Sequence, residues 1–236
     1  MKGIKNRTVA LIYRLFSAIL ILFALLLAIG VFEGKIQYRL FIYFTFQSNI
    51  WCLIFFVFLI IETIKDIKTK GNTGYSTVSP LIRGEVLLCI ILTHIVYHFI
   101  LAPRKFKMNP NFRSSKVYQF QNFLVHYITP LLTVLDYLLF NVKNSFGLIH
   151  PFAWLLLPCA YVVDVFVVAQ HITVIPTKTS KYPYFFFDVD LIGIEKVVKY
   201  NIALGIGLIA FAYLIVFIDW VLGIEFKSKN NKTKTN

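Results

Sequence analysis

Charge is scarce in this chain, and negative charge scarcer still. Only 15% of the 236 residues are charged, with 11 acidic residues against 24 lysines and arginines, where an average soluble protein carries about 25%. Cysteine is nearly absent. Cys52, Cys89 and Cys159 each sit inside an apolar run and none forms a CxxC pair, which excludes a disulfide framework or a zinc knuckle. Internal repeats are lacking, and the apolar runs do not alternate with polar residues as the strands of a membrane barrel do.

Apolar residues fill the gap. They make up 58% of the sequence, 24 of them phenylalanine, and the mean hydropathy is +0.72. One small globule cannot bury so much apolar surface, so lipid is the expected solvent. A net charge of +13 would suggest nucleic acid in a soluble protein. Here the basic residues flank the apolar runs, where they meet lipid headgroups instead, and no nucleic-acid partner is expected.

Six continuous apolar runs are each about long enough to cross the hydrocarbon core as a helix: Val9–Val31, Leu40–Ile61, Gly84–Ala102, Phe120–Phe140, Pro151–His171 and Tyr200–Leu222. The first follows Lys2, Lys5 and Arg7, as the core of a signal peptide would. It is too long for that role and lacks a small-residue cleavage site, so it reads as a membrane helix. The expectation is an all-α, six-helix transmembrane domain over residues 1–226 with a basic, disordered tail over 227–236. The aromatic string Tyr182-Pro183-Tyr184-Phe185-Phe186-Phe187 is expected at headgroup level.

The positive-inside bias favours both termini in the cytoplasm. This puts Lys65, Lys68, Lys70, Arg83 and Lys143 inside, while Arg104, Lys105, Lys107, Arg113 and Lys116 fall outside against the rule. A composition rich in Ile, Phe, Lys and Asn points to an AT-rich bacterial genome, and hence to the bacterial cell membrane.

Polar groups at membrane depth are costly and invite a functional reading. Because successive helices alternate in direction, one half of the bilayer receives Thr45, Gln47, Ser48 and Asn49 from the second run, and His94, Tyr97 and His98 from the third. The same half receives Asn122 and His126, then Asp164, Gln170 and His171, then Tyr200 and Asn201. Scattered, merely tolerated polar residues would not share a layer. The opposite half holds Arg83, Glu85, Asp136 and Asp219, expected as a structural charge network. His94 and His98 share a helix face, a spacing that suits either metal binding or hydrogen bonds between helices. A buried Asp164 needs a partner, and a histidine of its own layer is the natural one.

A hydroxyl, a histidine and an acid are the parts of acyl transfer: the base takes the hydroxyl proton, the oxygen attacks a carbonyl and the acid orients the base. Nearby Asn and Tyr groups can stabilise the oxyanion. Three histidines and an acid (His94, His98, His126 and Asp164) can alternatively hold Zn²⁺ with one position open to water. A transport or lipid-binding protein with a polar substrate path is a third reading, in which Gly205 and Gly207 allow packing or motion. Six helices without internal repeats are not the usual transporter plan.

Three segments carry a resemblance. Tyr43-Phe44-Thr45-Phe46-Gln47-Ser48-Asn49 resembles the threonine-containing start of helix 2 in the androgen-induced/ADTRP family of membrane hydrolases. Asn122-Phe123-Leu124-Val125-His126-Tyr127-Ile128-Thr129-Pro130 resembles that family's helix 4 motif, a histidine closely followed by proline. Tyr182-Pro183-Tyr184-Phe185 is similar to its Tyr-Pro-Phe element before the last helix. The order and spacing of these elements agree over nearly the whole chain. The match looks closer still to bacterial six-helix proteins with the same Phe-Thr-x-Gln-Ser-Asn, Arg-Gly (Arg83-Gly84), Tyr-His (Tyr97-His98) and His-Tyr-x-x-Pro blocks.

The resemblance implies six helices, Thr45 as nucleophile and His126 as base, acting on fatty acid esters of hydroxy fatty acids without a cofactor. The sequence departs from the animal pattern in Gln47-Ser48-Asn49 and in the extra pair His94 and His98. The leading expectation is an intramembrane lipid-ester hydrolase whose partners are membrane lipids. Asn49, Asn122 and Tyr97 would be polar supports, and His98 or Asp164 would orient the site. A zinc-dependent lipid amidase or esterase is the alternative.

Overall fold

The computed structural model describes residues 3–34, 36–103, 116–171 and 180–232, with side chains up to 224. Among these residues it is all-helical, apart from one isolated bridge between Asn6 and Thr73. Six long helices follow one another: α1 (Arg7–Ala28), α2 (Phe44–Lys70), α3 (Pro80–Leu101), α4 (Lys116–Phe140), α5 (His150–His171) and α6 (Ile194–Lys232). The basic residues 104–115 fall outside the described residues, as do 233–236, while the part of the expected disordered tail over 227–232 is instead helical, because α6 continues to Lys232.

Local sequence sets the ends. Asn6 caps α1 by accepting from the Val9 amide at 3.1 Å, and Ser79 does the same for Leu81 ahead of Pro80, the first residue of α3. These fill amides that a helix start leaves unpaired. Gly71, at φ 74°, ends α2. Arg7 ties the start of α1 to the loop that follows: its guanidinium donates to the Gly71, Thr73 and Tyr75 carbonyls and to Ser76 Oγ.

The outer surface is apolar. On α1, Ile12, Phe16 and Ile19 are 59–67% exposed, while Arg14, Ser17 and Ile21 turn inward and are essentially buried. Large apolar side chains face out from α2 and α6 as well, far more than a soluble monomer exposes in one place. Five helices (α1, α3, α4, α5 and α6) are long and apolar enough to cross a membrane. That number differs from the six expected. α2 is long enough, at 27 residues, but its first turns carry Gln47, Ser48 and Asn49 and its last turn is charged. The whole fits an integral, multi-pass membrane protein.

One half of the bundle is a scaffold of buried charge. Arg14 donates to Asp136 at 2.8 Å and to Thr63 Oγ1 at 2.5 Å, and Asn141 Nδ2 donates to the same carboxylate. Asp219 accepts from the Tyr137 hydroxyl and from the Ser145 and Phe146 amides. Glu85 accepts from the Leu157 amide, where α5 resumes after its break at Trp154. Arg83 donates to the Val78 carbonyl and to Ser145 Oγ. Of the four residues expected as a charge network, Arg83 and Asp219 meet only through Ser145, Glu85 holds a backbone amide, and Asp136 pairs with Arg14, a residue inside the first apolar run that the expectation did not include. At the same end Gly84 lets α3 meet α5, since a Cβ there would lie 1.9 Å from the Trp154 indole.

Removing one member of a buried pair strands the other charge. Arg14→Met should therefore lower stability by about 3–5 kcal/mol, and adding Asp136→Leu should recover most of it. Thermal unfolding of the detergent-purified variants measures both.

Candidate functional site

The other half of the bundle holds the polar layer, organised around an irregularity in α4. Between Leu124 and Ile128 this helix widens to a π-helical turn, a feature often found at functional sites. Pro130 follows it. Proline has no N–H, so a carbonyl one turn earlier loses its helical donor, and the widened turn shifts the bonding beside it. Side chains from neighbouring helices reach two carbonyls of this turn. Asn49 Nδ2 of α2 donates to the Val125 carbonyl at 3.1 Å, and His94 Nδ1 of α3 lies 2.8 Å from the His126 carbonyl. A segment of α3, Val96–Leu101, is π-helical as well. It carries Tyr97, whose ring stacks on His126 at 3.6 Å between centroids.

The orientation of His126 follows from its contacts. Nδ1 lies 3.0 Å from the Asn122 carbonyl. A carbonyl only accepts, so Nδ1 carries the proton and Nε2 keeps its lone pair. Nε2 in turn lies 3.2 Å from Thr45 Oγ1. This is the geometry of a hydroxyl paired with a general base whose far nitrogen is anchored. The anchor is a backbone carbonyl instead of a carboxylate.

Thr45 is the second residue of α2, at the positive end of that helix's dipole, while the Phe46 and Gln47 amides donate to the Tyr43 carbonyl. The Tyr184 hydroxyl reaches the Thr45 side chain and the backbone of Phe44 and Thr45, and Tyr161 lies beside it. Tyr184 belongs to the aromatic string expected at headgroup level. That string packs into the bundle, with Tyr182, Tyr184, Phe186 and Phe187 all 8% exposed or less, against Phe44 and Tyr161. Phe44–Tyr161 and Tyr184–Phe186 ring contacts hold it there. Tyr184 is the site residue that the sequence reading missed. Its signal was the Tyr-Pro pair just before the last helix.

The remaining candidates divide. Thr45, His126, Tyr97, Asn49, Asn122 and His94 converge. Asn49 and Asn122 do so differently from expectation. The Asn49 amide is spent on the Thr45 and Val125 carbonyls, and Asn122 anchors His126 through its backbone while its side chain donates to the Tyr118 carbonyl. His98 is exposed and hydrogen-bonds the Tyr127 hydroxyl at 2.9 Å. Asp164 accepts from Gln47 Nε2 at 2.9 Å, so the expected histidine partner is replaced by an amide. Among the described residues no three His, Cys, Asp or Glu side chains are grouped to hold a metal, and the Nδ1 atoms of His94, His98 and His126 are each engaged.

Next to Thr45 a cavity of about 480 Å³ opens between α3, α5, α6 and the aromatic string, within the usual range of small-molecule sites.

Comparison with protein-family models, with curated proteins and with solved structures found no match.

Because Asn122 acts through its carbonyl, Asn122→Ala should leave the Thr45–His126 pair in place, and labelling of the protein by a hydroxyl-directed phosphonate should stay within about threefold of wild type. Asn49→Leu should instead strand a buried carbonyl and lower the melting temperature, at a cost of about 1–3 kcal/mol.

Proposed function

We propose that this protein is an intramembrane hydrolase of lipid esters, of the kind that join a fatty acid to a hydroxy fatty acid, with Thr45 as nucleophile and His126 as general base. One observation carries the reading. Thr45 Oγ1 faces the unprotonated nitrogen of a histidine whose other nitrogen is fixed by a backbone carbonyl. The resemblance of the Thr45, His126 and Tyr182–Phe185 segments to the androgen-induced/ADTRP hydrolases supports the same assignment.

In this reading all six helices span the bilayer, with both termini in the cytoplasm of a bacterial cell. His126 Nε2 takes the Thr45 proton as Oγ1 attacks the ester carbonyl. The resulting oxyanion forms beside the start of α2 and the Tyr184 hydroxyl, where charge of that sign is favoured. The tetrahedral species collapses, and His126 hands its proton to the departing alkoxide, releasing the alcohol and leaving an acyl-threonine. A water, deprotonated by His126, then attacks this ester. Proton return to Thr45 releases the carboxylic acid. Tyr97, stacked on the imidazole, holds its plane and favours the imidazolium that forms midway.

A fluorophosphonate probe tests this on detergent-purified protein. Wild type should be labelled, and Thr45→Ala and His126→Ala should each lose labelling and ester hydrolysis by at least about a thousandfold while keeping their melting temperatures. Hydrolysis retained by Thr45→Ala would end the proposal.

A further inference from the structure

The cavity beside Thr45 is polar at one end and apolar elsewhere. Of its polar lining groups, Thr93 is already hydrogen-bonded to Ser48 and to the Cys89 carbonyl, and the Asn201 amide to the Phe186 and Val197 carbonyls. The other two polar lining groups are the hydroxyls of Thr45, 3.2 Å from His126 Nε2, and Tyr184, which reaches the Thr45 side chain. Along α6 the lining runs from Val198 through Gly205 to Leu208, about 15 Å at helical rise. The space is therefore long, narrow and dry. It also has a side opening. The Leu156–His171 stretch of α5 makes at most marginal contact with α6, which meets α5 through the His150–Ala153 turn instead. Cys159 and Ile202, which line the cavity from these two helices, are both exposed on the apolar outer surface.

We propose that this cavity binds the acyl chain of the substrate, one unbranched chain lying along α6 from the carbonyl at Thr45, and that Gly205 sets the chain length accepted. The assignment rests on the hydrolase reading for the position of the carbonyl. The Thr45 end suits the ester group, and the apolar walls suit a chain of methylenes. The gap between α5 and α6 admits the chain from lipid without passage through water. Gly205 lies partway along the wall, and a Cβ added there meets nothing within 4 Å. A larger side chain at this position enters the cavity instead of the protein. Gly207 is equally unobstructed, but it is exposed and does not line the cavity, which makes it a matched control.

The experiment compares wild type, Gly205→Phe and Gly207→Phe in detergent on p-nitrophenyl palmitate and p-nitrophenyl butyrate. Gly205→Phe should lose about tenfold or more in kcat/KM on palmitate and stay near wild type on butyrate, and Gly207→Phe should match wild type on both. An unchanged ratio in Gly205→Phe, or the same change in Gly207→Phe, overturns the proposal. Native mass spectrometry with palmitate and octanoate, on the Thr45→Ala background, separates it from the hydrolase reading. The background protein should retain both acids and Gly205→Phe should retain octanoate alone, whether or not wild type cleaves either ester. Palmitate retained equally by both overturns the acyl pocket even in an active hydrolase.

Discussion

Pro130 is the constraint from which the site follows. In lipid an unpaired carbonyl has no water to turn to, so a proline inside a membrane helix is tolerated only where neighbouring groups take over the lost bonds. Here Asn49 on α2 and His94 on α3 reach two carbonyls of the turn before it. The same two bonds lock α2, α3 and α4 together at the level of Thr45 and His126. The widened turn between Leu124 and Ile128 brings the imidazole to the Asn122 carbonyl, which decides its tautomer. A cost imposed by one residue thus becomes the means of holding a base against a hydroxyl.

The two halves of the bundle divide the work. At one end, Arg14 pairs with Asp136, and Asp219 accepts from Tyr137 and the 145–146 amides. These bonds tie α1, α4 and α6 together. At the other end Thr45 is only partly buried and opens onto the cavity, so its hydroxyl is the kind of polar group a ligand can reach. α2 joins the halves, with Thr63 on the Arg14 network and Thr45 and Asn49 on the site.

The helices and the polar layer were legible because continuous apolar runs and depth along a helix are both read by counting. The pairing of Thr45 with His126 was legible only through the resemblance, since depth says nothing about which faces meet. Arg14, about two turns into α1 and inside the first apolar run, was missed because only packing shows that it points inward to an acid. Tyr184 was missed for a related reason. The preference of aromatic rings for the interface concerns depth and says nothing of the pocket around Phe44 and Tyr161 into which this string packs. The π-helical turns leave no periodic signature, although Pro130 stands just after the one in α4. Asp164 was expected to pair with a histidine because charge complementarity was the only guide, and the structure gives it Gln47, which shares its layer.

The central claim is that His126 presents a bare Nε2 to Thr45. Nitrogen NMR of ring-labelled histidine in the protein reconstituted into lipid bilayers, with His126 assigned by its loss in His126→Ala, reads the tautomer directly. The account predicts, at a pH where the ring is neutral, a protonated Nδ1 and an unprotonated Nε2 whose shift moves on Thr45→Val. A protonated Nε2 on the neutral ring would contradict it, because a nitrogen that already holds a proton cannot take one from Thr45.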